Sequence, residues 1–317
     1  MYPEVSDPQV LVIAPQEGIY LAMKSIVQLL IEKHGPDDIH AVVTFPAYQS
    51  LYGVLNMHTE VSYWKAEYKE DSGWQFDLKQ LAKLIQPKTR FLVVNFPHNP
   101  TAFVPSLSQW QEIIDLCREK QLILFCDEMY RLSDNDGSDP LPSAVSMYEN
   151  AVTLSGLSKT FGLPGLRIGW LCTRDAALME KMAEYKDYLT ICSSAPSEIL
   201  SIMALRNKQK LIDRTVRVIR GNLDVLSDFF HEYEEYFEWH RPSACTTMFA
   251  RLKPKALALG GGSAAGLCER LVNEAELLLV PGSIFEFEDK FVRIGFGRRN
   301  MPEAVEVLRS FMKQQTR

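Results

Sequence analysis

The chain has 317 residues, 46% of them hydrophobic and 23% charged, with a formal net charge of -6. That length exceeds the usual single-core size and predicts two domains, while the negative balance argues against a nucleic-acid partner, whose phosphates draw positive charge. Six cysteines without a C-x-x-C pair suit free thiols in a reducing cytoplasm, and no apolar run reaches the ~18 residues of a membrane span.

The first residues, MYPEVSDPQ, lack the basic and apolar regions of a signal peptide. VLVIAPQEGIYLAMKSI reads as a strand, a tight turn and a helix start, a corner that offers backbone N–H groups to an anion. Pro15 cannot donate there, which leaves the Gln16 and Glu17 amides. Runs 39–45, 59–64, 90–95, 121–126 and 151–155 are predicted strands, and 16–33, 77–85 and 106–119 predicted helices. Their alternation implies an α/β fold with a mainly parallel sheet flanked by helices, whose chemistry lies beyond the carboxyl ends of the strands. From about 175 to 235 the pattern is helical, and a strand–helix mixture follows from 245. The expected domains are therefore 1–220, large, and 221–317, a smaller α+β unit. The basic stretch Arg206, Lys208, Lys210, Arg214, Arg217 and Arg220 reads as the solvated face of a helix. Gly260-Gly261-Gly262 lacks the G-K-[ST] of a phosphate loop and is expected to be a flexible loop.

Three strand exits and one late strand carry candidate chemistry. VVNFPHNPTAF contains Asn-Pro and Pro-Thr steps that make a rigid turn, with His98 as a loop residue. LILFCDEMY ends a strand with Asp127 and Tyr130, where a carboxylate suits either a magnesium ion or the nitrogen of a protonated pyridine. No histidine cluster or second carboxylate at ligand spacing supports a metal. TLSGLSKTFGLPGLRIGWL sets Ser155, Ser158, Lys159 and Arg167 around a glycine-rich turn. A lysine amine can form an imine with a phosphorylated aldehyde, and an arginine fork suits its phosphate. FVRIGFGRR places Arg293 in a strand, with Arg298 and Arg299 close behind.

These strings occur in an order that resembles the class I/II aminotransferases. SKTFGLPGLR is similar to the family's S-x-S-K with an arginine eight positions on, although Gly156 stands where the first serine is usual and Ser155 lies one step back. FPHNPTAF is similar to N-P-x-N-P-T-G, with Ala102 in place of the glycine, and FPAYQSLYG supplies Tyr48 where the family stacks an aromatic on its cofactor. The resemblance implies the aspartate-aminotransferase fold: a mostly parallel, seven-stranded-type sheet flanked by helices, a small domain, and a homodimer. It implies pyridoxal 5′-phosphate as cofactor, bound by Ala14, Pro15, Gln16, Tyr48, Asn99, Asp127, Tyr130, Ser155, Ser158, Lys159 and Arg167. Catalysis would fall to Lys159, Asp127 and Tyr130, and substrate binding to Asn99 and Arg293, without a metal. The activity it implies is transfer of an amino group between an amino acid and a 2-oxo acid, with Lys159 as imine anchor and proton shuttle. A β-lyase, decarboxylase or amino-acid cyclase, or a catalytically weak cofactor-binding protein, would use the same residues. The family carries a substantial stretch ahead of the phosphate loop, where this sequence has 13 residues. Loose cofactor binding and slow turnover are expected on that ground.

Overall fold

The computed structural model describes Tyr2, Val5, Ser6 and residues 9–315, apart from the Gln16 side chain. In chain order its first half contains β1 (Val10–Ile13), α1 (Pro15–His34), β2 (His40–Phe45), α2 (Ser50–Asn56), β3 (Glu60–Lys65), β4 (Glu67–Lys69), β5 (Gly73–Gln75), α3 (Leu78–Leu84), β6 (Thr89–Asn95), α4 (Leu107–Glu119), β7 (Ile123–Asp127), α5 (Ala144–Met147) and β8 (Ala151–Gly156). There follow β9 (Gly169–Thr173), α6 (Ala176–Lys186), α7 (Ala195–Arg206), α8 (Lys208–Glu232), β10 (Phe237–Glu238), β11 (Thr247–Leu252), α9 (Pro254–Leu259), α10 (Ala264–Ala275), β12 (Val280–Pro281), β13 (Phe291–Gly295) and α11 (Met301–Gln315).

Uninterrupted apolar strands need cover on both faces, and β2 and β8 are buried along their whole length. They sit inside a seven-stranded sheet of order β1-β9-β8-β7-β6-β2-β3. All neighbours are parallel except at β9, which runs antiparallel to both β8 and β1. Residues of α1, α2 and α6 cover one face, packing Ile26, Leu51 and Met182 against Val43 and Leu154. On the other face α3 and α4 set Leu81, Trp110 and Ile114 against Leu92 and Leu124. The α4 start follows from its sequence: Ser106 and Gln109 form a reciprocal capping box.

The later elements build a second sheet, antiparallel throughout, of order β10-β11-β13-β12. α8, α10 and α11 cover it through Leu226, Phe229, Leu267, Leu308 and Phe311. α8 runs unbroken across the expected boundary at 220/221, and its Ile219 and Leu223 already belong to this second core. The small β4–β5 hairpin ties the two units: Trp74 Nε1 donates to the Phe249 carbonyl at 2.9 Å.

Two expectations change. The glycine run is a tight turn between α9 and α10, because Gly261 and Gly262 have φ of +65° and +96° and a Cβ on Gly260 would stand 2.3 Å from the Leu267 amide. In the basic stretch, Arg214 and Arg220 are not merely solvated: they donate to the carbonyls of Phe161 and Asn135 across to neighbouring loops. Among the described residues no helix is long and apolar enough to cross a membrane.

Candidate active site

A cavity of about 220 Å³ opens at the carboxyl ends of β6, β7 and β8, against the start of α1. Pro15, Tyr48, Asn99, Asp127, Tyr130, Ser158, Lys159 and Arg167 line it, so eight expected residues from five separate segments meet in one place. Asn95, Met129, Leu154, Ile19 and Pro164 complete the walls.

Asp127 ends β7 and is buried, and its Oδ1 accepts the Met129 amide at 3.0 Å. Burial pushes its pKa up to about 6, opposed by that amide and by the Lys159 charge. Lys159 reaches solvent through the cavity, yet the surrounding protein desolvates its ammonium. Together with the Arg293 charge, this lowers its pKa, which favours the neutral, nucleophilic amine. Its Nζ lies 5.6 Å from the centroid of the buried Tyr130 ring, whose hydroxyl pKa is raised by burial.

Asn99 sits behind these groups. Its backbone N–H donates to Asn95 Oδ1 at 2.9 Å, and its own Oδ1 accepts from Thr247 Oγ1 and Arg293 Nη1, each at 3.4 Å. Arg293 therefore approaches the cavity from β13, whose alternation sends Val292 and Ile294 into the second core and Arg293 toward the large sheet. His98 is buried with Nδ1 against Thr101 Oγ1 at 2.7 Å, and burial pushes its pKa down to about 3. It is a neutral packing residue of the turn.

Two expected contacts, Ser155 and Ala14, do not line the cavity, and a third, the Gln16 side chain, lies outside the described residues. Ser155 does not line the cavity: strand alternation turns it away from Leu154, to the face it shares with its antiparallel partner Trp170. Ala14 ends β1's loop as the α1 cap, its carbonyl accepting the Glu17 and Gly18 amides at 3.0 and 3.1 Å. The Glu17 amide, expected to be open to an anion, is thereby engaged in the helix. Gln16 lies in the first turn of α1, and its side chain is outside the described residues.

The sequence reading missed Asn95 and Thr247. Asn95 could have been found, since it closes a strand whose exit holds Asn99. Thr247 could not, because only the β11–β13 pairing brings it to Asn99.

Residues 26–308 match the aminotransferase class I and II family. The chain belongs to that family. Capreomycidine synthase from Streptomyces vinaceus is 30% identical over 255 residues, covering 80% of this chain and 63% of that protein. Aromatic-amino-acid aminotransferase 2 from Thermococcus litoralis is 27% identical over 262 residues, 77% of this chain and 63% of the relative. The chain thus spans just under two thirds of the length of these two relatives. A pyridoxal phosphate-dependent aminotransferase structure from Streptococcus suis superposes with a TM-score of 0.87 at 28% identity, over 99% of this chain and 79% of that one.

The aminotransferase class I and II family and its fold depend on pyridoxal 5′-phosphate. The residues present fit that group. Ser158 Oγ is buried without a hydrogen-bond partner on a cavity-lining residue, and so offers a hydroxyl to an incoming acceptor. Arg167 can add a guanidinium fork, and Asp127 offers a desolvated carboxyl. Among the described residues no group of three or more His, Cys, Asp or Glu could hold a metal ion.

Proposed function

We propose that this chain is a pyridoxal phosphate-dependent aminotransferase that moves an amino group between an amino acid and a 2-oxo acid. The observation that carries the reading is the meeting of Asp127 and Lys159 in one cavity, the acid held partly protonated and the amine biased toward its neutral form. When bound, pyridoxal phosphate supplies an electron sink that stabilises negative charge at the substrate α-carbon. Lys159 would hold the cofactor through its Nζ, and its free amine would serve as general base and acid toward the substrate α-carbon. Asp127 would face the pyridine nitrogen and favour its protonated form. Ser158, Arg167 and the first turn of α1 would hold the phosphate, with Tyr48, Tyr130 and Asn99 beside the ring. Arg293, beside Asn99, binds the substrate α-carboxylate as a two-donor fork.

The reading includes a homodimer, supported by exposed apolar side chains along 188–203, where Tyr188, Ile191, Ile199 and Met203 are each more than half exposed. It also includes a cytoplasmic setting, supported by five buried free thiols. A second reading keeps the cofactor but retains the amino group in the product, and identity to capreomycidine synthase favours it.

One experiment tests both. The protein is loaded with pyridoxal phosphate and mixed with a panel of amino acids while the cofactor spectrum and the released products are followed. Release of the matching 2-oxo acid supports transamination, and a product that keeps its nitrogen supports the second reading. Borohydride reduction followed by mass mapping should place the cofactor on Lys159, and an adduct on another lysine overturns the assignment.

A further inference from the structure

Thr247 opens β11 and so belongs to the small domain, yet its hydroxyl bonds two side chains of the large one. Its Oγ1 stands 3.4 Å from Asn99 Oδ1, and it also bonds the hydroxyl of Tyr130. The approach to β11 fixes that position. Asn135 N–H donates to the Ser243 carbonyl at 2.8 Å, Cys245 N–H to Ser133 Oγ at 2.8 Å, and the Cys245 thiol to the His98 carbonyl at 3.6 Å. Ser133 Oγ in turn donates to the Tyr130 carbonyl. Cys245 holds φ at +78°, a conformation that an L-residue keeps only where its surroundings impose it. The strand entry is thus tied to the loops of Tyr130 and Asn99 just ahead of Thr247. In the β11–β13 register Thr247 pairs with Gly295 and Phe249 with Arg293, so Thr247 and Arg293 are diagonal neighbours on one face of the small sheet.

Counting donors and acceptors shows what the hydroxyl does. A guanidinium only donates, so the Asn99 atom facing Arg293 is its oxygen. Thr247 adds a second donor to that oxygen, and the amide is held with Oδ1 toward the small domain and its Nδ2 protons toward the cavity that Asn99 lines. Tyr130 has a single hydroxyl proton, and it donates that proton better when its oxygen accepts a bond from behind. The one proton of Thr247 can turn between Asn99 Oδ1 and the Tyr130 oxygen, since Arg293 keeps Asn99 supplied. Burial raises the pKa of the Tyr130 hydroxyl, and the Arg293 charge and the Thr247 bond oppose that rise. Cys245, Asp127 and Lys159 are the other ionisable groups around it. The ordinary role of a threonine at a strand start is a β-branched filler with a hydrated hydroxyl. Here both partners are buried, where an unmatched polar group is costly.

We propose that Thr247 is a positioning residue of the site, whose hydroxyl turns the Tyr130 proton and the Asn99 amide donors into the cavity, toward an acceptor on the bound cofactor. The inference rests on the pyridoxal phosphate reading for the identity of that acceptor, while the Thr247–Tyr130 bond stands without it. Because Thr247 is carried by the small domain, the aim of two large-domain donors depends on where the small domain sits.

The test begins on the unloaded chain. Urea denaturation is measured for Thr247→Val, Tyr130→Phe and the double exchange. Thr247→Val should lower the folding constant by about two- to tenfold less when Tyr130 has lost its hydroxyl, the coupling of one hydrogen bond. Strictly additive losses overturn the proposal. The pyridoxal phosphate-loaded protein is then titrated with pH while its visible band is followed. A donor aimed at the cofactor's phenolic oxygen favours the form that has lost its proton, so weakening that donor moves the colour change to higher pH. Thr247→Val should shift it up by about 0.5–1 pH unit, the size of one hydrogen bond, and Thr247→Ser, which keeps the hydroxyl, should restore the parental value. A purely structural role would move stability and leave the band in place. An unshifted band in Thr247→Val, or a shift that Thr247→Ser fails to reverse, overturns the positioning role. If the parent forms no visible band with pyridoxal phosphate, the cofactor reading itself fails, while the unloaded cycle still decides the Thr247–Tyr130 bond.

Discussion

Asn95 fastens Asn99 to Asp127: its Oδ1 accepts the Asn99 backbone N–H at 2.9 Å, while its Nδ2 donates to the Asp127 carbonyl at 2.8 Å. One buried amide thus sets the spacing between two strand exits. Replacing Asn95 by Ala leaves the buried Asn99 N–H unpaired, at about 1–3 kcal/mol, while the Asp127 carbonyl keeps the Phe96 amide at 3.2 Å. Urea denaturation of Asn95→Ala should show a loss on the order of 1–3 kcal/mol, with Asn95→Asp in between because it keeps the acceptor. Parental stability in Asn95→Ala would mean the link carries no energy.

The Asp127 carboxyl should make the unloaded protein less stable as pH rises. Burial pushes its pKa up to about 6, above the ~3.9 of an unfolded chain. Its contribution is therefore present below the unfolded value and lost as pH climbs through about 6. Glu128, pushed up to about 7 by burial, acts in the same direction. Between pH 4 and 8 the parent should lose about 2–3 kcal/mol more than Asp127→Asn, read from melting curves of both. Parallel pH profiles would contradict this. In the loaded protein the same exchange should slow the half-reaction by two or more orders of magnitude, on the ground that an amide cannot hold the ring nitrogen protonated.

Gly156 stands where the family's first serine is usual, and the packing explains why. A Cβ there would lie 3.0 Å from Gly169 Cα, 3.1 Å from the Ile168 carbonyl and 3.3 Å from Pro15 Cγ. Overpacking of this kind costs about 1–3 kcal/mol. Gly156→Ser should therefore melt earlier and bind pyridoxal phosphate no more tightly, and a gain in cofactor affinity would show that the strand can move aside.

Much of this architecture is legible in the residues themselves. Apolar runs and 3.6-residue periodicity place the five expected strands and three helices within about two residues of the observed ends, because burial on both faces leaves few alternatives. Asp127, Asn99 and Lys159 are readable as strand-exit residues because Asp127 ends β7 and the other two lie in the short loops after β6 and β8. The facing of Ser155 is not readable, since choosing between adjacent residues at a strand end depends on side-chain parity, which the pairing with Trp170 decides. Arg214 misleads for a different reason: its helix looks solvated until the lysine loop is folded beneath it. Strand β9 is equally hidden, because direction within a sheet is not written in apolar alternation.

Arg293→Ala should raise KM for amino acids by about tenfold or more, the loss of a charge-assisted hydrogen bond, while cofactor affinity changes little. Arg293→Lys should recover only part, since an ammonium lacks the two-donor fork. The comparison to make is an amino acid against the amine lacking its carboxylate, measured in both variants. Equal losses for the two substrates would assign the clamp to another cation.

Helix α8 is a single rod of 25 residues, about 37 Å long. Toward one end Arg214 grips the Phe161 carbonyl of the lysine loop, and toward the other Leu226, Phe229 and Phe230 are set in the core beneath β11 and β13. The two domains are thereby geared together. Any rocking of the small domain that carries Arg293 toward or away from Asn99 also pulls on the segment bearing Lys159. On the proposed reading, substrate capture at Arg293 and the aim of Lys159 would be coupled through this one helix, and a change far along the rod would act on both.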